Sequence, residues 1–434
     1  MMKVAFHTLG CKVNQYETQA IREDFLKNGF FEVGESEYAD CYVINTCTVT
    51  HLADRKARRQ IRKFLRINPE AVIVATGCYA QMSPDEISKI EGVSLIAGTN
   101  EKTKILSHVQ KLLEEKEETP IHLHLPYEEL KVYEETGRIV SMEDRTRAYI
   151  KIEEGCDRFC AYCIIPYARG RVRSRSSDAI VEEAKNLIDK GFKELVLTGI
   201  NTALYGKEQD FKEKTTLLDL LKTISSLKGD FRIRLSSLEP NVVTKEDVIN
   251  FLTIPKVCNH LHFSLQSGSD KVLKEMNRNY TFSSYLNIIK SLPENTGITT
   301  DIIVGFPGET EEDFKDTLNA VKLIDFVKVH AFPYSKRQGT KAAARQDQIS
   351  PGIKKERMEH LEKESSLSRN RFFMKNLNTV KTVLFEEKNE EGLYEGYSEN
   401  YIRVKVESGK DLKGDFYKVK LKEIEADYMT GELL

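Results

Sequence analysis

The sequence predicts an α/β protein in three parts: an open α/β domain over residues 2–113, a partial barrel of βα units over 142–371, and a small all-β barrel over 374–434. Three observations predict it. Short apolar runs alternate with amphipathic helical stretches through the first two parts, which is the rhythm of parallel sheets. A basic helical segment at 354–378 ends that rhythm, and short β-prone runs separated by turn residues follow it. Six of the eight cysteines stand where the chain leaves a strand, and open α/β sheets collect their ligands at such ends.

In order along the chain, residues 3–9 (KVAFHTL) read as a strand, followed by a turn at Gly10 and a helix from about Glu17 to Asn28. CYVINT (41–46) and VIVATG (72–77) are two further apolar strands, each running into a cysteine. Between Leu113 and Gly137 the periodicity dissolves. Eight acids stand there against two bases, with two prolines, so 114–141 reads as a connector. Five β-prone runs then alternate with helical stretches: ELVLTG (194–199), FRIRLSS (231–237), HLHFSLQ (260–266), TTDIIVGF (299–306) and FVKVHAF (326–332). Repeated βα units of this kind form an open or closed parallel barrel. KTVLFEE, GLYEGYSE, YIRVKVE and FYKVKLKEIEA fit a five-stranded barrel, with turns at 389–392, 398–400 and 408–414.

The 434 residues are 30% charged and 40% hydrophobic with a net charge of -2, an ordinary balance for a chain with several cores. No apolar run approaches a membrane span, and MMKVAFHTLGC lacks the features of a signal peptide, so cytoplasm is the expected compartment. Cysteines in that compartment point to metal or catalysis rather than to disulfides. The nine histidines include no metal-spaced set. No G-x-G-x-x-G is present, so a dinucleotide fold finds no support.

GCDRFCAYC carries Cys156, Cys160 and Cys163 as C-x-x-x-C-x-x-C. A structural zinc or a fully ligated iron–sulfur cluster takes four protein ligands, and this run offers three. Three thiolates on a 4Fe-4S cube leave one iron open to a small molecule. A labile zinc loop is the blander reading, and the tight spacing beside Arg158 and Arg169 argues against it. Cys11 in TLGCKVN, Cys47 in INTCTVT and Cys78 in ATGCYAQ form a second set at equivalent strand ends. On spacing alone they read equally well as three packing cysteines. Cys41 and Cys258 lie in or beside apolar segments and read as core.

TLGCKVNQYET, INTCTVT, TGCYAQ, GCDRFCAYCIIPYARGRVRSR, HFSLQSGSDKVLKEMNRNYT and TDIIVGFPGETEEDF together resemble the radical S-adenosylmethionine (SAM) methylthiotransferases, nearly end to end. TLGCKVN and HAFPYSKRQGTKAA (330–343) further resemble the MtaB-type branch, which acts on N6-threonylcarbamoyladenosine (t6A) at position 37 of tRNA. The resemblance implies an N-terminal cluster domain, a radical SAM core and a C-terminal TRAM domain that binds RNA. It implies two 4Fe-4S clusters through which the catalysis runs, one on Cys156, Cys160 and Cys163 and an auxiliary one on Cys11, Cys47 and Cys78. SAM would chelate the open iron of the first. The backbone at Tyr162 would approach its adenine, and Gly199 and Asn201 would meet its amino group. Glu239 and Gln266 would point into the same mouth, and Ile303 to Gly305, with Val304 at the centre, would wall the adenine. Asn201, Glu239 and Gln266 each read equally well as ordinary strand ends. The implied reaction uses one SAM to make a radical that activates C2 of the adenosine, and a second to methylate a sulfur on the auxiliary cluster. Arg337 in YSKRQGT is the candidate reader of the threonylcarbamoyl group. The implied partners are the tRNA anticodon loop, an electron donor and a sulfur source, with no membrane.

Basic stretches bear on the same expectation. Residues 55–66 (RKARRQIRKFLR) hold seven bases and no acid, Arg169, Arg171, Arg173 and Arg175 alternate, and 354–381 holds eight bases against four acids. A charge run is commonly a solvated helix face. Three of them beside a barrel with Tyr394, Tyr397, Tyr401 and Tyr417 favour RNA, with phosphates on Lys and Arg and bases stacked on tyrosine. The competing readings are the same chemistry on isopentenyladenosine-37, the same chemistry on a ribosomal protein side chain, and a non-catalytic iron–sulfur RNA-binding protein.

Overall fold

A computed structural model describes residues 2–115, 120–137, 139, 140, 142, 146–208 and 210–434. Strands β1 (Lys3–Thr8), β2 (Phe31–Glu32), β3 (Cys41–Thr46), β4 (Val72–Gly77), β5 (Val93–Ala97) and β6 (Ile121–Leu123) form a parallel sheet in the order β2-β1-β3-β4-β5-β6. Alternate side chains serve opposite faces. Tyr42, Ile44, Ile73 and Ala75 pack against Ala57, Ile61 and Phe64 of the helix His51–Ile67. Cys41, Val43, Val72 and Val74 meet Ile21 and Phe25 of the helix Lys12–Lys27 on the other face. Burial on both faces is why these strands read as unbroken apolar runs, and Cys41 is core, as expected.

Two local expectations change here. The first helix begins at Lys12, five residues before Glu17, with Cys11 as its N-cap. Asn14 and Glu17 concealed that turn because they are polar yet buried. The acidic connector is docked rather than a spacer. It supplies β6 to the sheet edge, Leu130 is buried, and Glu135 accepts hydrogen bonds from Arg175 Nε and Nη2 at 2.8 and 2.7 Å. Composition cannot tell an acid facing water from one facing a buried arginine.

The central part contains β7 (Arg147–Lys151), β8 (Glu153–Glu154), β9 (Arg173–Ser174), β10 (Glu194–Thr198), β11 (Arg232–Leu235), β12 (Ser237–Leu238), β13 (His260–Phe263), β14 (Gly297–Val304) and β15 (Lys328–Pro333). Parallel ladders run β7-β10-β11 and β12-β13-β14-β15, and β11 and β12 are one strand interrupted at Ser236. The result is a partial barrel. Its apolar shell joins Ile150, Leu195, Leu197, Ile233 and Leu261 to outer helices through Ile180, Leu187, Leu220 and Ile224. Thr216, Thr244 and Thr310 begin three of the outer helices with reciprocal T-x-x-D capping.

The helix Pro351–Asn376 leads to a closed barrel of β16 (Val380–Lys388), β17 (Tyr394–Ser398), β18 (Arg403–Val406), β19 (Phe416–Ile424) and β20 (Met429–Leu433), in the order β16-β17-β18-β20-β19. The barrel is clamped to the core. Glu194 accepts from Arg232 Nε and Arg234 Nε at 2.6 and 2.8 Å, while the same guanidinia donate to the carbonyls of Tyr397 and Ser398. Tyr401 stacks on His260, with ring centroids 4.3 Å apart, and Tyr397 stacks on Tyr401. The predicted α/β architecture with its terminal barrel is borne out.

Candidate functional site

The first triad is made by sheet order. β1, β3 and β4 are adjacent parallel strands, so their carboxyl ends lie side by side. Cys11 caps the helix after β1, Cys47 follows β3, and Cys78 opens the helix Cys78–Met82 after β4. Gly77 has φ +93°, and a Cβ there would lie 2.5 Å from the Thr46 carbonyl, so only glycine lets Cys78 approach its neighbours. Burial pushes the Cys47 thiol up to about 12, with Cys78 and Cys11 raising it further.

The second triad is made by a loop. Cys156 follows β8, and Gly155, at φ +80°, sits against the Arg171 carbonyl where no side chain fits. Phe159 adopts a left-handed conformation (φ 45°), and Asn277 Nδ2 braces the bend by donating to the carbonyls of Arg158 and Phe159 at 3.2 and 3.1 Å. Ala161 N–H donates to Met276, and Ala342 N–H donates to Ala161. Burial pushes Cys163 up to about 12, with Cys160 adding to the rise, and burial raises Cys156 and Cys160 as well.

A buried ion network joins the two. Arg169 is fully buried. It donates to Glu17 Oε1 (2.9 Å), Glu154 and Asn14 Oδ1 (2.8 Å), and its Nε lies 3.1 Å from Cys78 Sγ. Lys151 Nζ donates to Glu17 at 3.0 Å and Glu154 at 2.8 Å, and Lys102 Nζ lies 3.5 Å from Glu17. Three cations thus face two carboxylates; burial raises the Cys78 thiol, and the Arg169 charge beside it opposes that rise. The helix Cys78–Met82 packs against Ile165–Arg169, the helix that follows Cys163, so the triads are neighbours.

Among the described residues no three His, Cys, Asp or Glu side chains converge on a single metal ion. The donor sets fit a larger, iron-rich group: each offers three free cysteine thiols, the soft donors that an iron–sulfur cluster takes. Nearby buried atoms lack partners. Glu153 Oε2, Asn201 Oδ1, Ser236 Oγ and Arg278 Nε are unpaired among the described residues, which suits a polar cofactor such as SAM. Asn201 N–H donates to Glu153 at 2.6 Å and Asn201 Nδ2 to Glu239 at 2.7 Å; Arg278 Nη1 donates to Glu239 at 2.8 Å and lies 3.7 Å from Cys160 Sγ. Asn201 and Glu239 therefore meet beside the loop. Gly199 lies against Glu153 and faces a cavity. Gln266 turns at φ 67° and bridges to Ile302. Tyr162 packs with Ala161, Met276, Phe306 and Ile303, whereas Val304 faces the barrel core. Glu153 and Arg278 were not singled out from the sequence; the acid pair directly before GC was the available signal. Burial, with Glu154 adding, pushes Glu153 up to about 8 against the Asn201 and Ile200 N–H groups.

The cavity has a volume of about 500 Å³ and is walled by all three parts, from Cys11 and Lys12 through Gly199, Ser236 and His262 to Tyr401. Several expected RNA contacts lie elsewhere. Arg169, Arg173 and Arg175 are buried, leaving Arg171 exposed. Arg357 and Arg371 pair with Glu309 and Asp325, whereas Lys355, Lys363 and Lys375 of Pro351–Asn376 are exposed. Tyr394 is barrel core, and Tyr397 and Tyr401 are stacked at the joint. Arg337 pairs with Asp54 and is outside the cavity wall. Arg55, Lys56, Arg59 and Arg62 do lie exposed along one helix. Among the described residues, no helix is long and apolar enough to cross a membrane.

Residues 150–321 match the Radical SAM superfamily, and residues 3–98 match the uncharacterized protein family UPF0004. Each match contains one triad. The chain is 42% identical to the threonylcarbamoyladenosine tRNA methylthiotransferase MtaB of Bacillus subtilis (strain 168), covering 100% of this chain and 97% of that one. It is 34% identical to the tRNA-2-methylthio-N(6)-dimethylallyladenosine synthase of Clostridium novyi (strain NT), over 98% and 95%. The radical SAM methyltransferase TsrM from Kitasatospora setae, solved with tryptophan and a SAM analogue, shares the fold, with a TM-score of 0.58 over 76% of this chain and 73% of that one at 14% identity. The radical SAM superfamily works with SAM and 4Fe-4S clusters, and its core here, joined to the N-terminal domain, matches the transferases end to end. The chain belongs to the radical SAM tRNA methylthiotransferases.

Proposed function

We propose that the protein adds a methylthio group to C2 of t6A at position 37 of tRNA, giving ms2t6A with SAM used in two steps. The observation that carries this reading is the cavity walled at once by Cys11, the barrel strands and Tyr401. A site reached from all three parts would bring a base up to Cys11 and to the strand end at Gly199, and its size suits a nucleoside. The relative at 42% identity is named for t6A and the one at 34% for dimethylallyladenosine, which supports this substrate.

Cys156, Cys160 and Cys163 would hold one 4Fe-4S cluster and Cys11, Cys47 and Cys78 the other. When bound, these groups supply the electron that cleaves SAM and the iron-held sulfur that reaches the base. The chain's own residues orient and enclose. Glu153 Oε2 and Asn201 Oδ1, unpaired among the described residues, would face the SAM amino group, whose positive charge would favour the ionised Glu153, with Gly199 leaving room beside them. Glu239 and Arg278 hold Asn201 in place and keep a cation against Cys160. The Tyr162 backbone and Ile303 would flank adenine, with Val304 bracing that wall from the core and Gln266 turning the strand end. Arg55, Lys56, Arg59 and Arg62 would take tRNA phosphates, and the terminal barrel would guide the anticodon loop. Adenosine 37 must unstack to enter, which is easiest from a single-stranded loop. An electron donor and a sulfur source complete the partners, and the cytoplasm, where tRNA is modified, is the site of action.

Nucleoside mass spectrometry of t6A-bearing tRNA, after incubation with the iron-reconstituted protein, SAM and a reductant, tests this. The expected product is ms2t6A. A methylthio group found on isopentenyladenosine instead, or on neither nucleoside, would overturn the assignment.

A further inference from the structure

The cavity carries an electrostatic asymmetry. Its wall includes the cations Lys12, Arg147 and Arg234, the acid Asp301, and His260, His262 and His330. Most of this charge is already matched. Arg147 pairs with Glu386 at 2.8 Å and Arg234 with Glu194 at 2.8 Å, and Asp301 lies 3.0 Å from His262 Nε2. Lys12 is different. Among the described residues it has no carboxylate within ion-pair distance and no hydrogen-bond acceptor. A second wall residue is unmatched: His260 is 3% exposed, its Nε2 is engaged with Thr299 at 3.1 Å, and its buried Nδ1 has no partner among the described residues. An ammonium and an imidazole nitrogen, both unpaired in one cavity, lack an anion that accepts hydrogen bonds.

We infer that Lys12 is a specificity-determining residue that binds the carboxylate of the substituent carried by the substrate base, with His260 Nδ1–H as the second donor. This rests on the proposed t6A reading and deepens it, since a threonylcarbamoyl group bears a carboxylate and an isopentenyl group bears none. The ion pair would hold the substituent beside Cys11, the neighbour of Lys12 in the chain, and so orient the base toward the first triad. Rejection of a neutral substituent follows, because the half-buried ammonium would stay unpaired. Lys12 thereby takes the role that the sequence suggested for Arg337, which pairs with Asp54 through Nη2 and lies outside the cavity wall.

The test uses anticodon stem-loops bearing t6A either as the free acid or as its methyl ester, with binding to the full-length, iron-reconstituted protein read by fluorescence anisotropy. Wild-type protein is expected to bind the acid about tenfold to a hundredfold more tightly than the ester, the range of a charge-assisted hydrogen bond. Lys12→Met is expected to bind both at the level of the ester, and Lys12→Arg to recover part of the preference; iron content and circular dichroism report whether the variants are intact. Equal binding of acid and ester by the wild type would overturn the inference and assign any anion preference to backbone phosphates. So would a Lys12→Met protein that keeps the preference. Preference for the acid without ms2t6A formation would instead retire the proposed reaction while leaving the carboxylate site standing.

Discussion

The two cysteine triads reach similar ends by different construction. Cys156, Cys160 and Cys163 lie within eight residues, on a loop held by Asn277, Met276 and Ala342. Cys11, Cys47 and Cys78 meet because three neighbouring parallel strands stop together. A loop triad announces itself by spacing and keeps its geometry locally. A strand-end triad exists only when the sheet is assembled, and here it is further fixed by Arg169 reaching across from the central part. Each triad is therefore vulnerable in its own way, the loop triad to changes in one loop and the strand-end triad to changes far along the chain.

The largest expected effects separate the triads by chemistry. Alanine at Cys156, Cys160 or Cys163 is expected to abolish 5′-deoxyadenosine formation from SAM, measured by chromatography. Alanine at Cys11, Cys47 or Cys78 is expected to spare that cleavage and remove methylthiolated tRNA. Methylthio product from the second group would show that the division of labour is wrong.

Next comes the link between them. Arg169→Met leaves Glu17 and Glu154 buried with fewer cations, and breaking a buried pair in this way costs about 3–5 kcal/mol. A lower denaturant midpoint for unfolding is expected, with Arg169→Lys intermediate because it lacks the planar fork. An unchanged midpoint would mean that the triads are held independently.

Smaller effects concern the periphery. Replacing Arg55, Arg59 and Arg62 together by Ser is expected to weaken tRNA binding. It should also flatten the dependence of log K on log salt by roughly 0.7 to 0.9 for each phosphate left without its arginine. An unaltered slope would place the RNA on another face.

The mildest test is by pH. Glu153 has its carboxyl pushed up to about 8 by burial, so the folded chain keeps a proton that the unfolded chain releases near the ordinary value. That contribution to stability is complete below the ordinary carboxyl pKa and is lost as pH rises toward 8. Relative to Glu153→Gln, the wild type should therefore lose unfolding free energy between about pH 5 and 8. A flat difference across that range would mean that Glu153 is ionised and paired in the folded protein.

Much of the architecture was legible because periodicity reports burial. CYVINT and VIVATG were readable as strands since both faces are covered, and the turn-separated tail was readable as a barrel. Buried charge was not readable. Glu17, Arg169, Arg173 and Arg175 carry the same letters as solvated residues, so the arginine run looked like an RNA surface and the acidic connector like a spacer. The tyrosines misled for a related reason: Tyr397 and Tyr401 are polar-tipped aromatics that here seal the joint between the barrel and the core.

Spacing and hydrophobic period are local properties of a chain, so the kinds of element, the cysteine loop and the family could be read from the residues alone. Which distant groups share a low-dielectric surrounding was settled by folding. The assembled protein set Arg169 between two carboxylates and a thiol. It left Lys12 without a counter-ion among the described residues, in a cavity shared by three parts, and it buried Arg357 of a basic helix against Glu309. Charge acquires its meaning from what folding removes from water, and no single-residue pattern records that.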